Sequence, residues 1–263
     1  MFEFHTDKST YFNYQYGTSK EYIIPFLEES FNLNPDLKVL EIGCAEAGVL
    51  KAFTERGHEC VGIELIDHRV KLAEQFMSEE VKAKKVRFIT KNIYDIDIEN
   101  DIGHRFDLVI LKDVIEHIPN QEVFIRKLKD FLNPNGKVFF GFPPWQMPFG
   151  GHQQKCTKKL LSLLPYYHLL PMPLYKRLLR VCGEPDIKIQ NLVEIKETGI
   201  SIERFERIFK EENYTQLKRR LFLINPIYKY KFNLTPRKQF SFLSSIPVLR
   251  NFVSTCAYYI IQK

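Results

Sequence analysis

Gly43, Ala45 and Gly48 stand at G-x-A-x-x-G spacing within Leu37–Leu50, LKVLEIGCAEAGVL. Small residues at those intervals let the backbone bend tightly, approach a ligand closely and present amide groups at the start of a helix. That is the chemistry of a nucleotide-type site, and it makes Gly43, Cys44, Ala45 and Gly48 candidate ligand contacts. Just upstream, Val39, Leu40 and Ile42 form a short apolar run suited to a parallel strand covered on both faces. A second run, Cys60-Val61-Gly62-Ile63, ends at Glu64 and Leu65. A carboxylate at the end of the second strand is well placed to take a ribose diol. The dinucleotide-binding fingerprint has the same spacing, so the turn alone does not name the nucleotide.

Further along, Lys112-Asp113-Val114-Ile115-Glu116-His117-Ile118-Pro119 follows the apolar run Phe106–Leu111. Glu116 and His117 are ionisable groups at the carboxyl end of a strand, where open α/β folds place ligands. Either could orient or deprotonate a nucleophile, because histidine titrates near neutral pH. Residues 142–153, FPPWQMPFGGHQ, form a proline-stiffened loop after the next strand. Trp145, Phe149 and His152 are expected to project from it towards a substrate, with His152 as the first candidate for a general base. Glu116 and His117 are adjacent, but nothing else in the chain has convincing metal-ligand spacing, so no metal is expected.

Through VLEIGCAEAG, the acid in VGIELID, and DVIEHIP, the chain resembles the class I S-adenosylmethionine (SAM)-dependent methyltransferases. Glu41 supports that over an NAD fold, because it sits two residues before the first glycine where NAD folds usually keep an apolar residue. The resemblance covers residues 37–142 well and the rest more loosely. The family pattern is E-x-G-x-G, and here Ala45 replaces the middle glycine. The resemblance implies SAM as cofactor and S-adenosylhomocysteine as product. It implies that Glu41 and the glycine turn border SAM, that the backbone around Lys112 and Asp113 borders its methionine part, and that Tyr16 contacts the cofactor from an N-terminal segment. Asn92 would pair with the adenine edge and Ile93 lie on the ring, with Asp95 the competing candidate if the loop register differs. Phe142-Pro143-Pro144-Trp145 looks like the [DN]-P-P-[YFW] motif of amino-methylating nucleic-acid enzymes. Its first residue is wrong, however, and it follows the fifth strand where that motif follows the fourth.

These residues need a scaffold, and the pattern predicts a single α/β domain. As the resemblance implies, it is a Rossmann-like, seven-stranded, mostly parallel sheet with helices on both faces and a helical lid insertion. Residues 1–36 are expected to be an aromatic arm and a helix capped by Thr18 or Ser19, and residues 37–142 the SAM-binding core. Residues 143–200 are the lid over the acceptor, since so long a connection is an insertion. Residues 201–263 complete the sheet, with strand six at Tyr214–Ile224, an antiparallel strand seven at Cys256–Ile261 and a basic insertion at 225–254. One helix is expected from Asp67 to about Lys84, and Asn133-Pro134-Asn135-Gly136 is expected to be a turn before a strand at Lys137–Phe142.

Composition bounds the rest. A chain of 263 residues can bury a full α/β core. Five cysteines with no C-x-x-C pair predict reduced thiols and a cytoplasmic protein, as does an N-terminus without a signal pattern. The formal net charge of +6 hides an asymmetry: residues 1–150 carry 18 Lys/Arg against 24 Asp/Glu, and residues 151–263 carry 20 against 8. A basic half interleaved with aromatics suits an anionic acceptor, a membrane surface or nucleic acid. The function expected is methyl transfer by direct displacement to a hydroxyl or amine of a small-molecule, glycoconjugate or lipid-linked acceptor. A nucleic-acid or protein acceptor, or SAM binding without catalysis, are the alternatives.

Overall fold

The computed structural model describes residues 7–263, so the first six residues of the expected arm lie outside the described residues. Eight strands form one sheet: β1 Lys38–Ile42, β2 Glu59–Glu64, β3 Val86–Thr90, β4 Phe106–Lys112, β5 Leu132–Phe142, β6 Thr215–Ile224, β7 Arg237–Lys238 and β8 Cys256–Gln262. Their order is β3-β2-β1-β4-β5-β8-β6-β7. The first five are parallel, and β8 runs antiparallel between β5 and β6. The apolar runs lie in the middle because both faces there are covered: every residue of β8 from Cys256 to Ile261 is buried. Two apolar clusters sit on opposite faces, one around Leu40, Val109 and Phe140, the other around Val39, Ile110 and Phe139. Strand order reverses between β1 and β4, and an open sheet leaves a crevice at that point.

The sheet has eight strands rather than seven. The extra one, β7, is two residues in the basic stretch after β6, with Lys238 and Arg237 opposite Phe222 and Ile224. A short, charged edge strand discourages pairing with other chains. Asn133–Gly136 is not a turn ahead of β5 but an excursion within it, because Leu132 already pairs with Phe106 and Lys137 with Leu108. Asn135 takes a left-handed conformation there, which asparagine tolerates.

The N-terminal helix starts earlier than Thr18. Lys8–Thr18, a π turn at Ser19–Ile23 and Ile24–Glu28 form one continuous helical stretch. The Asp7 carboxylate caps it, accepting from the Ser9 and Thr10 amides. Thr18 instead donates to the Tyr14 carbonyl, and Ser19 to the Val49 carbonyl on the neighbouring helix Gly48–Thr54. The helix expected at 67–84 is broken at the fully buried Met77 into Asp67–Phe76 and Ser78–Lys82.

Between β5 and the helix Ile202–Glu211, residues 153–198 fold into helices at Lys159–Leu163, Met172–Val181 and Asp186–Thr198. They share a small core of Leu161, Tyr167, Tyr175, Leu179, Ile189 and Leu192. This unit is tied to the sheet at one end. Thr198 donates to the Glu116 carbonyl at 2.6 Å, and Gln121 bridges the carbonyls of Ile115 and Thr198. Among the described residues, no helix is long and apolar enough to cross a membrane.

Candidate active site

The glycine turn is held by backbone geometry. Gly43, Ala45 and Ala47 all have positive φ (69°, 49° and 67°), so the chain alternates handedness through the turn. Alternation of that kind points successive amides inward and makes an anion-binding concavity. Gly43 and Cys44 donate to the Ile63 carbonyl, which fixes the turn to β2. The Glu64 carboxylate fills part of the concavity: one oxygen accepts from the Ala45 amide at 3.0 Å, the other from the Leu65 and Ile66 amides at 2.9 and 3.1 Å. A carboxylate has about four acceptor positions, so Glu64 keeps one for a hydroxyl. Gly48 serves packing, since a Cβ there would lie 2.3 Å from the Phe12 carbonyl oxygen on the N-terminal helix.

A cavity of 330 Å³ opens beside this turn at the sheet's switch point. Glu41, Gly43, Cys44, Ala45 and Gly48 reach it from β1 and the turn, Lys112, Asp113, Glu116 and His117 from the end of β4, and His152 from the proline loop. Ten of the expected site residues therefore share one chamber. Of the others, only Phe149 lines it. Tyr16 faces away, donating to Glu55 at 2.7 Å and accepting from Lys20, and Tyr11, Phe12 and Gln15 of the same helix face the chamber instead. Leu65 is 66 % exposed, Asn92 caps the turn Ile93–Asp95 by accepting from Tyr94, and Ile93 is buried in the core. Trp145 points into the helical unit, against Gly199 and edge-on to His168, while Phe149 lines the chamber as expected. Sequence reading missed Lys8, Tyr11, Glu46, Lys155, Tyr228 and Lys231. Only Glu46, inside the glycine turn, carried a local signal.

The charges are arranged unevenly. Burial works to discharge Lys112, but Asp113 beside it holds the ammonium charged, and the two form an ion pair. Gly141 leaves the space that the Lys112 stem occupies. Glu116 is buried with neither oxygen partnered among the described residues. Burial and the Asp113 charge push its carboxyl up to about 8. Glu41 has one orphaned oxygen, and burial followed by the Glu64 charge raises it too. Desolvation by the chamber walls and the Lys155 charge lower the partly exposed His117 to about 4 and drive the half-buried His152 well below its ordinary value, so both imidazoles are neutral at pH 7. Their rings meet edge to face with centroids 4.9 Å apart. Burial also lowers Lys231 to about 8, against the pull of Asp113.

Distance along the chain argued against a metal set, yet the fold brings His152 to Glu116 and His117. Their ligand atoms lie within 4.8 Å of one another, donors of the types a transition metal takes. That spacing is looser than the roughly 3.4 Å expected between ligands of a tetrahedral ion at 2.0–2.1 Å.

A family model described as a methyltransferase domain matches residues 14–169. The chain belongs to the class I SAM-dependent methyltransferases. Its curated relatives include the ubiquinone biosynthesis O-methyltransferases of Bos taurus mitochondria (28 % identical over 104 residues, 39 % of this chain and 28 % of that one) and of Pseudomonas syringae pv. tomato (27 % over 117 residues, 44 % and 48 %). This chain therefore spans less than half the length of these relatives. Among solved structures, a putative sarcosine dimethylglycine methyltransferase from Galdieria sulphuraria superposes with a TM-score of 0.59 at 14 % identity, over 93 % of this chain and 84 % of that one. A magnesium protoporphyrin IX methyltransferase from Synechocystis PCC 6803 with bound S-adenosylhomocysteine gives 0.55 at 13 %, over 95 % and 83 %.

SAM is the family's cofactor, and the chamber fits it. The orphaned oxygens of Glu41 and Glu116 are what a methyltransferase of this class can offer a cationic, amine-bearing ligand. Glu41, the turn amides and Glu64 are the residues that would hold it.

Proposed function

We propose that this methyltransferase moves the methyl group of SAM by direct displacement to a hydroxyl or amine of a small-molecule acceptor. The observation that carries this is the chamber itself, which joins the glycine turn to Glu116, His117 and His152 in one cavity. Bound SAM supplies an electrophilic methyl carbon. The chain's own work is to hold a nucleophile in line, exclude water and take a proton where the acceptor is a hydroxyl. A neutral imidazole can accept that proton, and His152 and His117 both meet the condition. Residues 143–200 act in this reading as the lid over the acceptor, and residues 37–142 as the cofactor half. Leu160, Leu163, Leu174, Val181 and Ile187 are exposed on the lid next to Lys159, Lys176 and Arg180, a composition that supports peripheral contact with a membrane carrying a lipid-linked acceptor. All five cysteines are free thiols, which supports a reducing compartment.

Thermal unfolding with SAM, S-adenosylhomocysteine and NAD tests the cofactor. A ligand at a hundredfold excess over its Kd stabilises the native state by about 2.7 kcal/mol. A shift with both sulfur nucleotides, reduced in Glu41→Ala, is the expected result. A shift with NAD alone would overturn the assignment. Incubation of cell extract with methyl-labelled SAM then identifies the acceptor.

A further inference from the structure

A second cavity, of 360 Å³, adjoins the chamber and shares Lys8, Arg69, Gln154 and Lys155 with it. Its remaining wall is one face of the helix Asp186–Thr198: Lys188, Asn191, Leu192 and Ile195, at positions i, i+3, i+4 and i+7. Leu192 and Ile195 give it an apolar side, and four cations with no carboxylate give it a charged one. Lys8 is neutralised by Glu46 at 3.0 Å, and Lys188 donates to the Lys155 carbonyl. Neither Arg69 nor Lys155 has a salt bridge to a carboxylate among the described residues, although Glu116 attracts Lys155 through space. Gln154, its Oε1 buried and unpartnered, adds an amide group at the shared wall.

In the basic half many cations are already matched. Lys218 and Arg220 meet Glu29, Arg219 and Arg250 meet Glu206, Arg204 meets Glu122 and Lys229 meets Glu21. Arg69 and Lys155 instead face a cavity together, and like charges gathered there repel one another unless an anion joins them. Charge-assisted hydrogen bonds from guanidinium and ammonium groups are the usual way to hold phosphate oxygens. The apolar side favours a ligand that carries more than a phosphate, because Leu192 and Ile195 can then be covered as well.

We propose that this second cavity is the phosphate subsite of the acceptor. The acceptor is then a phosphate-bearing amphiphile: phosphate among Arg69, Lys155 and Lys188, apolar part along Leu192 and Ile195, nucleophile reaching past His152 into the chamber. This rests on reading the chamber as the site of methyl transfer.

Calorimetric titration with hexyl phosphate, inorganic phosphate and 1-hexanol tests it, on the chain alone and on the chain saturated with S-adenosylhomocysteine. Hexyl phosphate is expected to bind at least tenfold more tightly than either fragment. Lys188→Glu, on the wall that belongs to the second cavity alone, should weaken it at least tenfold, and Arg69→Gln should weaken it as well. Equal binding of hexanol and hexyl phosphate, or an unchanged affinity in Lys188→Glu, would overturn the subsite. Inorganic phosphate binding as tightly as hexyl phosphate would overturn the amphiphilic acceptor. Failure of S-adenosylhomocysteine to bind would remove the methyltransferase reading alone, since the titration without it decides the phosphate subsite independently.

Discussion

The two sides of the chamber are built by different means. On the glycine-turn side the geometry is made by backbone: positive φ at Gly43, Ala45 and Ala47, and a Glu64 carboxylate that accepts from three amides. Its turn amides and the Glu64 carboxylate are paired before any ligand arrives, and Glu41 keeps one orphaned oxygen. On the Glu116 side the wall is made of side chains from separate segments, and it stands unsatisfied. Among the described residues Glu116 has two orphaned oxygens and His152 an orphaned Nδ1, and desolvation by the chamber walls with nearby lysines holds both imidazoles neutral. The first side is preorganised to receive one fixed shape. The second holds its groups in their less solvated, more reactive protonation states, as a site for chemistry does.

The largest expected effect lies on the first side. Gly48→Ala drives a methyl group into the Phe12 carbonyl, which is backbone and cannot swing aside. Overpacking of this kind costs about 3 kcal/mol, or roughly 6–10 °C in Tm for a chain of this size. Because the displaced helix also carries Tyr11, Phe12 and Gln15 into the chamber, SAM affinity should fall with Tm. An unchanged Tm by calorimetry would show that the turn and the N-terminal helix are not coupled. Next comes Glu64→Ala, which strips an acceptor from three amides and should cost about 2–3 kcal/mol of stability. It should also weaken SAM about a hundredfold, by equilibrium dialysis. Equal losses from His152→Ala would erase the contrast between the two sides.

That contrast also explains what could be read from the sequence. A backbone-built site leaves local traces, because glycine spacing and a strand-end acid are set by the chain around them. The turn at Gly43 and Ala45 and the strand-end Glu64 were therefore legible, as were β6 and β8 from their apolar runs, while the antiparallel direction of β8 came from the family resemblance. A site built of side chains from distant segments leaves no such trace. Nothing local to Lys155 or Lys231 says that they converge with Asp113 and Glu116, and only the packing of the helix Lys8–Thr18 shows that Tyr11, not the expected Tyr16, faces the chamber. His152 was legible as a residue type after a strand, but its proximity to Glu116 and His117 belongs to tertiary structure. Asn133–Gly136 was misread because turn-forming residues also build bulges, and only the pairing of Leu132 with Phe106 tells the two apart.

Protonation gives a prediction of middle size. The Glu116 carboxyl is raised in the folded state to about 8, so its contribution to stability is complete below the unfolded carboxylate range and is lost as pH rises through 8. Glu116→Gln removes that dependence, so the variant should gain on the parent by several °C in Tm between pH 5 and pH 8.5. Parallel Tm–pH curves would place Glu116 in an ionised pair instead. The lowered imidazoles act oppositely: His117 contributes stability above its unfolded pKa and loses it as pH falls through about 4. If a histidine takes the acceptor's proton, kcat should stay level from pH 8 down to about 5. If Glu116 takes it, kcat should climb through pH 8.

The smallest expected effect tests whether the helical unit positions the reactive wall. Thr198 donates to the Glu116 carbonyl and thereby ties the end of helix Asp186–Thr198 to the turn carrying Glu116 and His117. Thr198→Val keeps the shape and removes the donor, at a cost of about 1 kcal/mol. Because Gln121 still bridges the Ile115 and Thr198 carbonyls, the two elements should stay docked, with Tm falling by about 2–4 °C. What should change more is kcat, at constant affinity for SAM, since the cofactor side has its own supports in Glu64 and the glycine turn. A fall in SAM affinity matching the fall in kcat would mean that the two sides move as one body, and that the division between a preset half and a reactive half is not how this chamber works.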